Sequence, residues 1–322
     1  MRRRDFVRLL VGAAAAVPLP TFAQKSSRIG WLVFGDASLG PTDQSLKDAL
    51  AQNGLVDGRT VSILYRFANG DLTRVPALAE ELAAQKPDVL IAIGGDLTKA
   101  LFDASKGSIA VVGGVSDDPV RMGLASSLAR PGKNFTGVTF LTNEMAAKRI
   151  ELLKEVVPGA KQIAVIFNPQ HLDDELTFAR KAAESLSIAI TAYPINNAGD
   201  LDAALQSAKE NGADCLFVIA SRLTRVVAGR IAQYGLAQRL PVITAWREFV
   251  TNGALLSYGP SLVFEARRVA GYVDKVLKGR RPADLPIEQP VKFELVVNLK
   301  TARSIGLTLD RSLLLRADDL IE

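Results

Sequence analysis

Residues 89–115, VLIAIGGDLTKALFDASKGSIAVVGGV, contain the pattern that decides the fold. Two continuous apolar runs of strand length, Val89–Ile93 and Ile109–Val115, flank a stretch of helix length. Strands that are apolar at nearly every residue are typical of a parallel sheet covered on both faces. A strand, a helix and a second strand in this order predict a right-handed βαβ unit.

The same alternation extends in both directions along the chain. Residues 29–115 read as strand, helix, strand, helix, strand, helix and strand, and residues 161–244 repeat much the same order. The turn-rich segment 131–137 (PGKNFTG) lies between the two series, and we place the lobe boundary there. The pattern predicts an α/β fold with two doubly wound, Rossmann-like lobes. The remaining predicted strands are Ile29–Phe34, Val61–Phe67, Ile163–Phe167, Ile188–Tyr193, Cys215–Ala220 and Val242–Thr244.

The C-terminal third does not begin a third domain. It offers a short strand, Ala254–Tyr258, one helix, Leu262–Lys278, an extended run over residues 281–297 and a last short helix near Lys300–Ile305. Pieces this small cannot bury a core alone. We therefore expect them to complete the two lobes, so that the chain crosses between the lobes more than once.

Residues 1–23 are predicted to be an export signal peptide. Four arginines precede a short apolar stretch, Leu9–Val17, and Thr21-Phe22-Ala23 predicts cleavage before Gln24. The segment Arg3–Val7 (RRDFV) resembles a twin-arginine signal, and the general secretory route would accept the same leader. Both routes end outside the cytoplasm, so we expect a periplasmic protein.

Composition excludes several functions. The chain has 322 residues, one Cys, one His and a net charge of +5. Four arginines and one aspartate in residues 1–23 account for three of these charges. The remaining +2 is too small for a nucleic-acid interface. One Cys excludes a disulfide framework and a cysteine-ligated metal cluster.

The chain lacks the sequence motifs of several enzyme classes. The motifs G-x-G-x-x-G, G-x-x-x-x-G-K-[ST] and G-x-S-x-G are all absent. Cys215 lies inside an apolar run and is expected to be buried and inert. We see no nucleophile paired with a base, which also argues against an exported α/β hydrolase. We therefore expect no catalysis, no cofactor and no metal.

The candidate site lies where the predicted strands end, because ligands of open α/β sheets bind outside the carboxyl ends of the strands. Many polar residues there are explained equally well as helix caps and turns. Caps do not explain Trp246 directly after a buried strand, with Tyr258 at the end of the next one. Each either fills the core or forms a wall of a cleft that stacks on a planar ligand. The candidate ligand-binding residues are Gly35, Asp36, Gly95, Ser116, Asp117, Asn168, His171, Ser221, Trp246 and Tyr258.

Three stretches carry a resemblance to a known family: residues 118–138 (DPVRMGLASSLARPGKNFTGV), Tyr258-Gly259-Pro260 and the tail 279–322. They resemble the solute-binding proteins of ABC importers in the tryptophan/tyrosine-binding-protein-like group. The resemblance implies the type I periplasmic-binding fold, with two lobes that close on a small molecule by hinge motion. It also implies that the closed, loaded form is recognised by the membrane permease subunits. We expect the protein to be a monomer.

The resemblance also implies three crossovers between the lobes. We expect them near Val138–Thr142, Glu248–Gly253 and Pro286–Val291. Lobe 1 would then consist of residues 28–138 and 252–286, and lobe 2 of residues 139–251 and 287–322.

Roles within the cleft follow from the chemistry of the candidate residues. Helix N-termini after Ser116, Asn168 and Ser221 are expected to donate N–H groups to a carboxylate or carbonyl. An ammonium would be taken by Asp36 or Asp117, and an apolar body would be covered by Trp246 or Tyr258.

We expect an aromatic or hydrophobic amino acid, or an aromatic carboxylate, as ligand. The alternative is a sensory module that reports the ligand to a receptor or kinase instead of a permease.

Overall fold

The computed structural model describes residues 26–140, 142–171 and 174–322. Two sheets, one of five strands and one of seven, organise this part of the chain. The predicted signal peptide and its cleavage site lie outside the described residues.

The five-stranded sheet is parallel throughout, with the order β2-β1-β3-β4-β5. Its inner strands are buried on both faces, as the continuous apolar runs predict. Together with helices α1–α3 and α10 it forms lobe 1. The bounds are β1 Ser27–Val33, α1 Pro41–Gln52, β2 Val61–Phe67, α2 Val75–Ala84, β3 Val89–Ile93, α3 Gly95–Ser105, β4 Ala110–Val115, β5 Phe135–Thr139 and α10 Leu262–Leu277.

The seven-stranded sheet has the order β12-β11-β10-β9-β8-β6-β7, and only the β10–β11 pair within it is antiparallel. With its helices it forms lobe 2. The strands are β6 Gln162–Phe167, β7 Ala189–Pro194, β8 Cys215–Val218, β9 Val242–Thr244, β10 Leu256–Pro260, β11 Phe293–Asn298 and β12 Asp319–Ile321. The helices are α4 Thr142–Val156, α5 Glu175–Ser185, α6 Leu201–Glu210, α7 Arg222–Val226, α8 Ala228–Gln238, α9 Arg247–Thr251, α11 Leu299–Ile305 and α12 Arg311–Arg316.

The predicted two-lobed α/β architecture is confirmed, but segment 131–137 is not simply a bridge. Its second half belongs to β5, which pairs in parallel with β4. The nearby Pro131 and Gly132 gave the segment the composition of a turn. The chain leaves lobe 1 only after Thr139.

Within the described residues the chain passes between the lobes three times: after β5, between β10 and α10, and between Glu288 and β11. The expected second crossover at Glu248–Gly253 is wrong, because α9 packs on β10 and β11 of lobe 2. Strand β10, which the sequence-based boundaries put in lobe 1, pairs with β9 and β11. The crossover therefore lies at Ser261.

The three crossover segments are hydrogen-bonded to the lobes and to each other. The amide of Thr139 donates to the carbonyl of Glu288 (2.9 Å), and the amide of Glu288 donates to the carbonyl of Gly137 (2.9 Å). The amide of Ser261 donates to the carbonyl of Lys292 (3.4 Å). These bonds join the third connection, over residues 288–292, to both of the others.

A buried carboxylate lies beside this region. Glu265 on α10 is fully buried and accepts a hydrogen bond from Nη1 of Arg268 (2.8 Å). Arg268 also forms an ion pair with Glu288 and donates to the carbonyl of Gln289 (2.9 Å). Burial raises the pKa of Glu265 to about 7, although the charge of Arg268 opposes the rise. The cluster therefore changes its charge near neutral pH.

The close approach of β4 and β5 gives a test of the fold. Gly137 has φ 144°, and a Cβ there would lie 1.9 Å from the carbonyl oxygen of Gly113 on the paired strand. We expect Gly137→Ala to lower the free energy of unfolding in urea by about 3 kcal/mol or more, or to prevent folding. Gly271→Ala is the control. Gly271 lies in helix α10 and faces open space, so this substitution should raise the free energy of unfolding by about 0.5–1 kcal/mol. A Gly137→Ala protein as stable as the wild type would contradict the close approach of β4 and β5.

The buried carboxylate predicts a pH dependence. Glu265 has a higher pKa folded than unfolded, so the folded state binds more protons and stability falls as pH rises from about 4.5 to about 7. In urea unfolding over this pH range, Glu265→Gln should lack that loss. Asp274→Asn, on the same helix but paired with the exposed Lys278, should retain it. Parallel pH profiles for wild type and Glu265→Gln would show that Glu265 does not titrate in this range.

Candidate functional site

The candidate site lies between the lobes, where strands of both sheets end. Phe34 and Gly35 follow β1, Gly95 follows β3, and Ser116 follows β4. From lobe 2 come Asn168 after β6, Ser221 after β8 and Trp246 after β9. All of them line cavities shared by the two lobes. The cleft therefore lies beyond the carboxyl ends of the strands, which is where ligands of open α/β sheets bind.

Among the described residues, three cavities lie in this cleft. The interlobe cavity has a volume of about 300 Å³ and includes Phe34 and Asp43 of lobe 1 and Arg225 and Phe249 of lobe 2 in its lining. The polar cavity has about 130 Å³ and the seam cavity about 30 Å³. Arg222 lines all three. An open groove of about 850 Å³ elsewhere is lined by lobe 1 alone.

Arg222 joins the lobes. Its Nε contacts both carboxylate oxygens of Asp96 (2.6 and 2.8 Å), and its Nη2 donates to the carbonyl of Ile93 (2.8 Å). The guanidinium also lies over the ring of Phe34, 4.7 Å from the ring centre. Burial opposes ionisation of Asp96, but the charge and hydrogen bond of Arg222 outweigh it and lower the pKa of this carboxyl. The carboxyl of Asp96 is therefore ionised at neutral pH.

The approach of Arg222 requires a glycine in lobe 1. Gly94 has φ 116°, and a Cβ at this position would lie 1.8 Å from Nη2 of Arg222. Only a residue without a side chain allows the guanidinium to reach the carbonyl of Ile93. Gly94, directly before α3, thus allows this contact between the lobes.

Arg225 lies one helical turn further along α7. Its guanidinium contacts Glu248 (3.1 Å) and lies 5.3 Å from the centre of the Trp246 ring. Trp246 is only 7% exposed and lines the seam cavity beside Phe140. Among the described residues, its indole Nε1 and the Oγ1 of Thr42 are buried without a hydrogen-bond partner. A buried polar group that makes no hydrogen bond lowers the stability of the folded protein by about 1–3 kcal/mol.

The polar cavity contains the predicted hydrogen-bonding residues. Ser116 Oγ lies 3.5 Å from Nε2 of His171 across the cleft. Asp117 accepts from Nδ2 of Asn143 at the start of lobe 2 (3.3 Å). Asn168 caps its own loop through the amide of Gln170 (2.9 Å). The contacts of Ser116 and Asp117 thus link the two lobes at this cavity, whereas the Asn168 contact is local to lobe 2.

Two candidate residues line none of the three cavities. Asp36 is exposed and accepts from the amide and hydroxyl of Ser38 (2.9 and 2.5 Å), and the Ser38 hydroxyl above all lowers its pKa. It closes a local turn. Tyr258 is half-buried against the core of lobe 2 and stacks on Phe293 with 6.1 Å between ring centres. The positions of Asp36 and Tyr258 therefore do not support the roles in the cleft that were expected of them.

The expected helix N-termini are present only in part. No helix follows Ser116 among the described residues before β5, since residues 116–134 form turns and irregular structure. Helix α5 begins only at Glu175, seven residues after Asn168. Ser221 does cap α7 through a capping box with Thr224, but its hydroxyl is used in that cap.

Burial raises the pKa of the Cys215 thiol, which suppresses its thiolate. No group of three or more His, Cys, Asp or Glu side chains in the described ranges is placed to hold a metal ion.

Sequence reasoning missed the charged residues of the interlobe cavity. Arg222 and Glu248 lie at the starts of α7 and α9, shortly after strand ends, yet nothing in their spacing separates them from ordinary surface charges. Asp43 and Arg225 lie in the first turns of α1 and α7. A search of first helical turns next to strand ends would have included them.

Comparison with known proteins now identifies the family. The family model described as ABC transporter substrate binding protein matches residues 31–321. The chain belongs to this family. Members are substrate-binding proteins rather than enzymes, and those of ABC importers are extracytoplasmic. In the described part of this substrate-binding protein, no helix has the length and apolar character required to cross a bilayer.

Individual relatives agree with this assignment. A tyrosine-binding protein of Clostridioides difficile is 24% identical over 287 residues, covering 88% of this chain and 81% of the relative. A conserved domain protein from Vibrio cholerae gives a TM-score of 0.85 at 26% identity, covering 92% and 100% of the two chains. An ABC domain from Streptococcus pneumonia in complex with L-Trp gives 0.84 at 22% identity, with the same coverage. The fold of this substrate-binding protein is that of the type I periplasmic binding proteins.

Proposed function

We propose that this chain is the solute-binding component of an ABC importer. It captures a small organic solute, an aromatic or hydrophobic amino acid or an aromatic carboxylate, between two lobes that close by hinge motion. The single observation that carries the proposal is the interlobe cavity, because both lobes contribute its walls. Neither lobe alone encloses it.

The size and chemistry of the cavity support a small, partly apolar solute. Its volume of about 300 Å³ is at the lower end of the range for small-molecule sites. Phe34 and Phe249 contribute aromatic walls, while Asp43 and Arg225 contribute opposite charges. A flat body with a polar end fits this combination.

The relatives support the solute class. One is named for binding tyrosine, and another was solved with L-Trp. Both ligands are aromatic amino acids.

The connections support hinge closure. Three short crossovers join the lobes, and the remaining contacts between the lobes that the structure describes, such as the Arg222–Asp96 pair, are side-chain contacts that can separate when the cleft opens. A solute shifts the balance between open and closed forms only by its preference for the closed one. A solute touching both lobes has this preference.

The proposal includes the route to the membrane. Residues 1–23 act as the signal peptide, the mature chain is a periplasmic monomer, and permease subunits recognise its closed, loaded form.

A ligand screen tests the solute class. We expect an aromatic or hydrophobic amino acid, or an aromatic carboxylate, to raise the melting temperature of the mature chain in a thermal-shift assay. At 100 times its dissociation constant a ligand adds about 2.7 kcal/mol of stability, which corresponds to a rise of about 5 °C or more. A neutral sugar serves as the control. A shift with the sugar and none with the amino acids or aromatic acids would contradict the proposed class.

Trp246 provides a second test, in titration calorimetry with the solute found by the screen. We expect Trp246→Ala to weaken binding about tenfold or more, because the indole lines the adjoining seam cavity and packs against Arg225, which lines both this cavity and the interlobe cavity. Trp246→Phe keeps the ring and should lose only part of this affinity. Wild-type affinity in a folded Trp246→Ala protein would assign the indole to the core.

A further inference from the structure

Asp43 is a carboxylate in the interlobe cavity that the fold leaves without a direct partner. It lies in the first turn of α1, two residues after Pro41, and lines the cavity. No hydrogen bond or ion pair to another described residue involves its side chain. Burial raises the pKa of Asp43, and the more distant charges of Arg222 and Arg225 only partly oppose the rise. A place in the first turn stabilises a carboxylate through the helix dipole, but it does not require the carboxylate to face a cavity.

The nearest cations are already neutralised by other carboxylates. Arg222 pairs with Asp96, and Arg225 pairs with Glu248. Counting these two pairs and Asp43, the region carries three carboxylates and two guanidiniums. A solute with only a negative charge would therefore enter a site with an excess negative charge, at a cost in electrostatic free energy.

A second group beside Asp43 also lacks a partner. The hydroxyl of Thr42 is buried, lines the same cavity and makes no hydrogen bond to the described residues. A hydroxyl oxygen and a carboxylate on adjacent residues together offer acceptors to a donor with several hydrogens, such as an ammonium group. A carboxylate solute cannot satisfy Asp43.

We infer that the solute carries a cationic amino group and that Asp43 binds it, which makes Asp43 the residue that selects the charge of the solute. The inference rests on the proposed function and narrows it: aromatic amines and amino acids bind, and aromatic carboxylates without an amino group are rejected. The apolar body lies between Phe34 and Phe249, with the amino group toward α1. The carboxylate of an amino acid is directed toward Arg225.

Matched ligands test the inference on the wild-type protein. Titration calorimetry is carried out with L-phenylalanine against 3-phenylpropionate, and with L-tryptophan against indole-3-propionate. The members of each pair differ by the amino group. We expect the amino acid of at least one pair to bind, and to bind at least tenfold more tightly than its partner.

Variants then assign the preference to a residue. Asp43→Asn should weaken binding of the amino acid at least tenfold and leave the propionate unchanged or tighter, so that the preference disappears. Asp48→Asn, on the exposed side of the same helix, is the matched control and should retain the wild-type ratio. Thr42→Val should reduce the same ratio, and it supplies an independent variant where Asp43→Asn does not fold.

The outcomes separate this inference from the proposed function. A propionate that binds as tightly as its amino acid overturns the role of Asp43 and leaves solute capture standing. A folded Asp43→Asn protein with the wild-type preference also overturns that role. Binding of none of these compounds, nor of any other amino acid or aromatic acid in the thermal-shift screen, overturns the proposed solute class and the inference together.

Discussion

The ion pair between Arg222 and Asp96 is the contact on which the arrangement of the cleft depends. Arg222 is 12% exposed and Asp96 31%, so their attraction is screened by water less than that of a surface pair. The pair fixes α7 of lobe 2 against the end of β3, and it places the guanidinium over Phe34. It also neutralises the positive charge of Arg222. The other charged groups of the cleft therefore determine which charge a solute can carry.

Most of the fold was predictable because burial on both faces of a parallel sheet leaves a continuous apolar run in each strand. The prediction failed where strands are short or polar. Strand β5 contains two threonines and Gly137, and Pro131-Gly132 precede it by a few residues, so the composition of this region is that of a turn. Strand β10 was identified as a strand but assigned to the wrong lobe, since a five-residue run does not show which strand it pairs with.

The candidate site could be predicted in position more than in chemistry. The rule that ligands bind beyond strand ends places Ser116, His171 and Trp246 at the cleft, because strand ends meet at one edge of a parallel sheet. It does not show which strand-end side chains turn into the cleft. Asp36 is held by its own turn, whereas Asp43, seven residues later, lines the cavity because Pro41 starts α1 beside it. Such orientations arise from three-dimensional packing.

The polar groups left without partners connect solute binding to closure. In the described part of the chain, Nε1 of Trp246 belongs to lobe 2 and the hydroxyl of Thr42 to lobe 1, and both are buried with nothing to bond. In an open form, water would reach them and satisfy them. Closing without a solute therefore costs desolvation on both lobes, about 1–3 kcal/mol for each group. A solute that pairs with these groups and with Asp43 removes the cost only in the closed form. This is the difference in affinity that a solute needs to drive the proposed closure.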